Sequence, residues 1–271
     1  MKNKTLLTPL LMLSATMIIS MSSSQVIAQT PQQKGLAIAQ EADARDLGWK
    51  DSTADMQMQL INKQGDTSER KIRVRTLEVL GDGDKSLTIF DKPRDVRGTA
   101  FLTFSHVTGA DDQWLYLPAL KRVKRISSRN KSGPFMGSEF AYEDMSSQEV
   151  GKYTYKYLKD EPCGPQQNLT CFVMERYPVD EFSGYTKQIV WLDQNEYRAW
   201  KIDFYDRKDA LLKTLVLSDY QQYLDQYWRP HTMTMSNHQT GKKSILTWSN
   251  YQFKTGLKDS DFNKANLKRV R

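Results

Sequence analysis

Apolar residues recur at near-helical spacing over residues 32–49, then switch to every second position for most of the remaining chain. In "QQKGLAIAQEADARDLGW", Leu36, Ile38, Ala39, Ala42 and Leu47 follow the helical repeat and Gly48 can end it. From Asp51 the period is two. Met56, Met58 and Leu60 alternate with Gln57 and Gln59, and Ile72, Val74 and Thr76 alternate with Arg73 and Arg75. The intervening "KQGDTSE" is a turn, so the two runs predict a β-hairpin. The rhythm continues through "SLTIFDKP", "GTAFLTFSHV", "DQWLYLPALKRVKRIS", "TCFVMERYP", "TKQIVWLDQ", "RAWKIDFYD", "LKTLVLSDYQQY", "WRPHTMTMSNH" and "KSILTWSNYQF".

Roughly ten or eleven strands joined by short loops predict a mainly β fold, one large antiparallel sheet. With one helix before it and little helix between strands, such a sheet must curl to bury a face. The stretch from Ser138 to Tyr155 breaks the rhythm and reads as loop and short helix lying over the sheet. "WLYLPAL" and "KRVKRIS" read as one long strand and its continuation. No repeat, low-complexity tract or linker divides the chain.

The first residues have a different pattern. Lys2 and Lys4 precede an apolar segment that runs to about Met21, and Val26 and Ala28 match the small-residue positions of a signal-peptidase site. Residues 1–28 are therefore expected to be a cleaved signal peptide, and 29–271 a single exported domain. The apolar run is too short and interrupted for the ~20 apolar residues of a membrane span. No cysteine lies near the cut, which argues against a lipid anchor.

Export changes how the charge is read. The chain has 39 basic and 32 acidic residues, and without Lys2 and Lys4 the balance is 37 to 32, or +5. In an exported protein this modest excess points away from nucleic acid and toward anionic lipid, a membrane surface or an acidic protein face. Cys163 and Cys171 flank a "GPQQNLT" turn, and in an oxidising compartment they are expected to form a disulfide closing a hairpin-like loop.

Candidate chemistry is sparse. His106, His231 and His238 are few and scattered, with His231 and His238 placed where they could flank one strand end. No nucleophile elbow, HExxH helix or phosphate-cradling glycine loop is present, so no catalytic residue, metal or cofactor is expected. The aromatics say more. Phe101, Phe104, Trp114, Tyr116, Phe135, Phe140 and Tyr142 crowd one part of the chain with Met136 beside them. A curled sheet of this many strands encloses more volume than its own side chains readily fill. An apolar interior would select acyl chains at about 0.8 kcal/mol per buried methylene, and Met side chains adapt to varied shapes. Phe101, Trp114, Tyr116, Phe135, Met136, Phe140 and Tyr142 are therefore expected to line or cover the cavity mouth.

A family pattern lies in the same region. Arg97-Gly98-Thr99, the run Trp114 to Leu120, Arg122 and Arg125, Phe135-Met136-Gly137-Ser138, Tyr142-Glu143-Asp144, and the later "WLD" at Trp191 and "FYD" at Phe204 resemble the LolA-like, outer-membrane lipoprotein-sorting family of Gram-negative bacteria. The likeness covers most of the chain beyond residue 28. It implies an incomplete antiparallel β-barrel with helices over its opening, as in LolA, LolB and the sensor RseB, and a cavity for lipid or lipoprotein acyl chains. It further implies a periplasmic location and an inner-membrane RND/MMPL-type transporter as partner. Two functions compete: a carrier that transfers cargo, and a lipid-sensing module that regulates a partner protein.

The cationic stretch "KRVKRISSRNK" fits either reading. Arg122, Lys124 and Arg125 are expected to form a basic rim for an anionic headgroup, a transporter or transient membrane contact. The alternative is pairing with Glu139, Glu143, Asp144 and Glu149 downstream.

Overall fold

The computed structural model describes residues 29–269; the expected signal peptide and its cleavage site lie outside the described residues. The helix α1 (Pro31–Arg45) begins in a capping box: the Thr30 hydroxyl accepts the Gln33 N–H, and the Gln33 side chain accepts the Thr30 N–H. Pro31 occupies the first helical turn, where no backbone donor is needed. The apolar repeat ran to Leu47, but the helix stops at Arg45, and Gly48 at φ 99° turns the chain toward the sheet.

Thirteen strands follow: β1 (Asp51–Ile61), β2 (Thr67–Leu77), β3 (Lys85–Lys92), β4 (Ala100–Phe104), β5 (Asp112–Leu117), β6 (Arg122–Ile126), β7 (Tyr153–Cys163), β8 (Leu169–Pro178), β9 (Tyr185–Asp193), β10 (Ala199–Asp206), β11 (Leu211–Tyr223), β12 (Tyr227–Asn237) and β13 (Lys243–Phe253). All join one antiparallel sheet in the order β6-β5-β4-β3-β2-β1-β13-β12-β11-β10-β9-β8-β7. The first and last strands pair, so the two free edges, β6 and β7, are consecutive in sequence. The sheet curls into a half-open barrel, and its gap lies in the middle of the chain.

Two strands more than expected come from two local misreadings. "WLYLPALKRVKRIS" is not one strand: a 3-10 turn at Pro118–Leu120 reverses it, and β6 folds back on β5 with Trp114 opposite Arg125. The end of the supposed loop region is β7, which starts at Tyr153. The run of polar and aromatic residues between them, 127–152, is the crossover linking the free edges. It forms short 3-10 turns that insert into the barrel rather than a helix lying over it.

Side-chain alternation sorts the core into two faces. The enclosed face carries Met56, Met58, Ile72, Val74, Phe101, Leu115, Met174, Val190, Leu192, Ile202, Phe204, Leu215, Leu217, Met235 and Leu246. On the outer face of β3–β5, Leu87, Ile89, Ala100, Leu102 and Trp114 are covered by Phe262 and Leu267 from the C-terminal segment, whose last 3-10 helix spans Lys264–Arg269. Cys163 and Cys171 form the expected disulfide across the β7–β8 turn, with Cα atoms 5.8 Å apart.

Candidate binding cavity

One end of the barrel is filled by the crossover. Phe135 and Phe140 are buried in its interior, and the Phe135 ring lies 5.0 Å from Phe101 and 6.0 Å from Phe90. Polar groups fasten this plug. Asp144 accepts hydrogen bonds from Lys213 Nζ at 2.8 Å, Tyr185 Oη at 2.8 Å and Ala141 N at 2.7 Å. Lys213 Nζ also donates to the Glu139 carbonyl. Glu143 accepts from Ser183 Oγ and Gly184 N; burial, and then the neighbouring Asp144, push its carboxyl up from the ordinary range. The Lys131–Asp180 and Lys152–Asp111 ion pairs tie the crossover to loops on either side of the gap.

The other end stays hollow. A cavity of about 1160 Å³ lies between α1 and the enclosed face. Its wall includes Ala39 and Ala42 of α1, Ala54, Val74, Met174, Val190, Leu192, Ile202, Phe204, Leu215, Leu217, Met233, Met235 and Trp248, with Phe140 of the plug among them. The helix runs close over β7: a Cβ at Gly35 would lie 2.9 Å from the Tyr157 amide nitrogen. Arg45 at its far end donates to the Asn195 carbonyl. Thus α1 spans the mouth from β7 to the β9–β10 turn.

Charged residues line the cavity toward solvent, acids outnumbering arginines: Asp43, Asp46, Glu78, Asp82, Asp84 and Glu149 are among them, beside Arg45, Arg198 and Arg229. Asp46 pairs with Arg229, Glu78 accepts from the backbone N–H groups of Gly48 and Lys50, Asp82 pairs with His106, and Glu149 accepts from the Ser147 hydroxyl. Burial, reinforced by the charges of Glu149, Glu78 and Asp46, pushes Asp84 up to about 7 despite a hydrogen bond from Val79 N. A smaller cavity of about 700 Å³ lies at the barrel gap, lined in part by Ile126, Lys131, Gln148, Lys152 and Phe182.

The aromatic cluster predicted at the mouth is divided by the fold. Phe101, Phe135, Phe140, Tyr142 and Met136 do gather on the enclosed side, with Tyr142 5.6 Å from both Phe101 and Phe135. They form the packed end, and of them only Phe140 lines the large cavity. Trp114 and Tyr116 have the opposite parity and pack on the outer face under Leu267. Arg122, Lys124 and Arg125 line neither cavity, so they form no rim at the mouth. Nor do the downstream acids pair with them: Glu139 accepts from Asn237, Glu149 from Ser147, and Arg125 pairs with Asp112.

His231 and His238 do not meet; His231 bonds the Tyr223 hydroxyl and His238 the Thr214 hydroxyl. Among the described residues, no group of three or more metal-ligating side chains comes together. The cavity wall that sequence reasoning missed is the alternating set on β8–β13. Its signal was present as period two, but nothing in one strand marks which parity is enclosed.

A curled antiparallel sheet, plugged by its own crossover and hollow beneath an N-terminal helix, defines a half-open β-barrel of the LolA-like class. A model of an uncharacterized protein family matches residues 82–269. A solved domain from Vibrio parahaemolyticus, described as an outer-membrane lipoprotein-sorting protein, is 64% identical with a TM-score of 0.85, over 88% of this chain and 100% of that one. A DUF1329 family protein from Desulfovibrio piger is 28% identical with a TM-score of 0.82 over the same shares. A LolA superfamily protein from Nitrosomonas europaea shares the fold at 22% identity and a TM-score of 0.67, over 88% of this chain and 99% of that one. The chain belongs to the LolA-like outer-membrane lipoprotein-sorting family. No curated protein matches it.

Proposed function

We propose that the protein is an exported periplasmic carrier that holds a lipid or lipoprotein acyl chain in the large cavity. The observation that carries this reading is the wall itself. Aliphatic and methionine side chains from five consecutive strands, β8 to β12, joined by Trp248 of β13, face a space of about 1160 Å³, above the ~300–1000 Å³ of ordinary small-molecule pockets. Each methylene buried there contributes about 0.8 kcal/mol, so a long chain is favoured over a short one. The sorting role described for the Vibrio relative supports a lipoprotein or lipid cargo. Among the described residues, no helix is long and apolar enough to cross a membrane. Binding is non-covalent and uses no catalytic group. In this reading an inner-membrane RND/MMPL-type transporter supplies the cargo and the outer membrane receives it.

Mass spectrometry of an organic extract from natively purified protein tests the proposal. An acyl lipid or lipopeptide near one per protein is expected. Leu217→Asp, which sets a charge in the wall, should weaken binding of a fluorescent fatty acid by tenfold or more, about 1.4 kcal/mol. An empty extract together with no fatty-acid binding would overturn the carrier reading. Cargo that is retained, but never moves from donor to acceptor vesicles, would leave a sensing module in its place.

A further inference from the structure

We infer that the free edge of the sheet at β6, together with the C-terminal 3-10 helix, is a docking surface for an anionic phospholipid bilayer. The inference rests on two sequence-distant groups of cations that the fold gathers around one edge from both faces of the sheet: Arg122 and Lys124 stand opposite Leu117 and Leu115 on the enclosed side, and Arg125 stands opposite Trp114 on the face that the C-terminal helix covers. On the edge, Lys121, Arg122, Lys124 and Arg125 are all exposed. The helix Lys264–Arg269 packs across β4, β5 and β6, with Leu267 buried beneath it. Lys264 Nζ lies 5.4 Å from the centre of the Trp114 ring, and Trp114 is paired with Arg125 in the strand register. Lys268 and Arg269 extend the same exposed surface.

Few of these charges are spent within the molecule. Arg125 pairs with Asp112, whereas among the described residues Arg122, Lys124, Lys264 and Lys268 take part in no ion pair. The nearby acids of the C-terminal segment are engaged elsewhere: Asp259 with Lys85, and Asp261 with the Lys258 backbone N–H. Leu120, 55% exposed in the turn before Lys121, puts an apolar side chain among the cations.

A bilayer suits this surface better than an acidic protein does. The cations are spread over a strand edge and a helix, and none of them lines either of the two cavities described above. A lipid surface asks only for diffuse positive charge and tolerates an apolar side chain at the headgroup level. The rest of the molecule orients the contact. Acids outnumber bases nine to four in the lining of the large cavity, a net negative balance that an anionic surface repels. The protein therefore lies on its β6 edge, and none of the docking cations lines the large cavity.

Sedimentation with vesicles tests this, comparing phosphatidylcholine alone with phosphatidylcholine containing phosphatidylglycerol. The wild type should sediment only with the anionic vesicles and be released as salt shortens the Debye length from about 30 Å at 0.01 M to about 8 Å at 0.15 M. Arg122→Glu with Lys124→Glu, and separately Lys264→Glu with Lys268→Glu, should each weaken binding by roughly tenfold or more. Sedimentation insensitive to the C-terminal pair, or equal with both vesicle types, would overturn the inference. So would failure to sediment with either, the outcome expected if the surface serves an acidic protein. Fluorescent fatty-acid binding by the Lys264→Glu/Lys268→Glu protein should match wild type, which reports folding and keeps this result separate from the carrier reading.

Discussion

Asp144 shows how one side chain can hold a plug inside a barrel. Its carboxylate is 9% exposed and the Lys213 ammonium facing it 4%, and each also bonds the crossover or a neighbouring strand. Removing one partner leaves the other as a buried, uncompensated charge. Asp144→Ala is therefore expected to cost about 3–5 kcal/mol, seen as a lowered denaturant midpoint. Phe135→Ala should cost a similar ~3–5 kcal/mol, since the ring is fully buried against Phe90 and Phe101. Asp84 makes a prediction of opposite character. Its proton is held up to about pH 7 in the folded protein but released near the ordinary carboxylate value on unfolding. The folded state then binds more protons between those two values, so this group's contribution falls as pH rises through that window. Thermal melts from pH 5 to 8 should show declining stability, and Asp84→Asn should flatten the decline.

At the scale of elements, α1 and the β7–β8 hairpin frame the opening. The helix can lie on β7 because Gly35 has no side chain where a Cβ would stand 2.9 Å from backbone. Gly35→Val should destabilise by about 1–3 kcal/mol through overpacking and loosen the helix over the cavity, measurable as faster hydrogen exchange in 31–45. The disulfide closes a short loop between residues eight apart. Replacing both cysteines with serine should lower stability by about 2.5 kcal/mol on loop-entropy grounds, read as a shift in the thermal midpoint. The elements themselves were largely legible. Eleven of the strands and the helix follow from alternation and turn residues. What was missed is the reversal at Pro118–Leu120, which no glycine or asparagine marks, and β7, whose side chains are largely exposed and so lack the apolar alternation.

For the whole molecule, the decisive fact is that β1 pairs with β13. That pairing moves the open edges to β6 and β7, which makes the crossover 127–152 a plug for the gap and leaves the space beneath α1 hollow. It also separates an acidic mouth from a basic edge. Alternation, charge runs and the cysteine spacing are local, and the sequence by itself determined the β class, the N-terminal helix, the disulfide and the crowding of aromatics between Phe101 and Tyr142. Period two carries no information about which face is enclosed, because a strand presents both faces equally until neighbours close around it. Only the tertiary structure decided that Phe101 and Phe135 pack inside while Trp114 and Tyr116 face outward, and that most of the cavity wall comes from β8–β13. The "KRVKRIS" stretch was placed by the same closure: an edge strand has one side without a partner, and its cations flank that edge on both faces, with Arg125 on the face of the C-terminal helix and none of them lining the cavity.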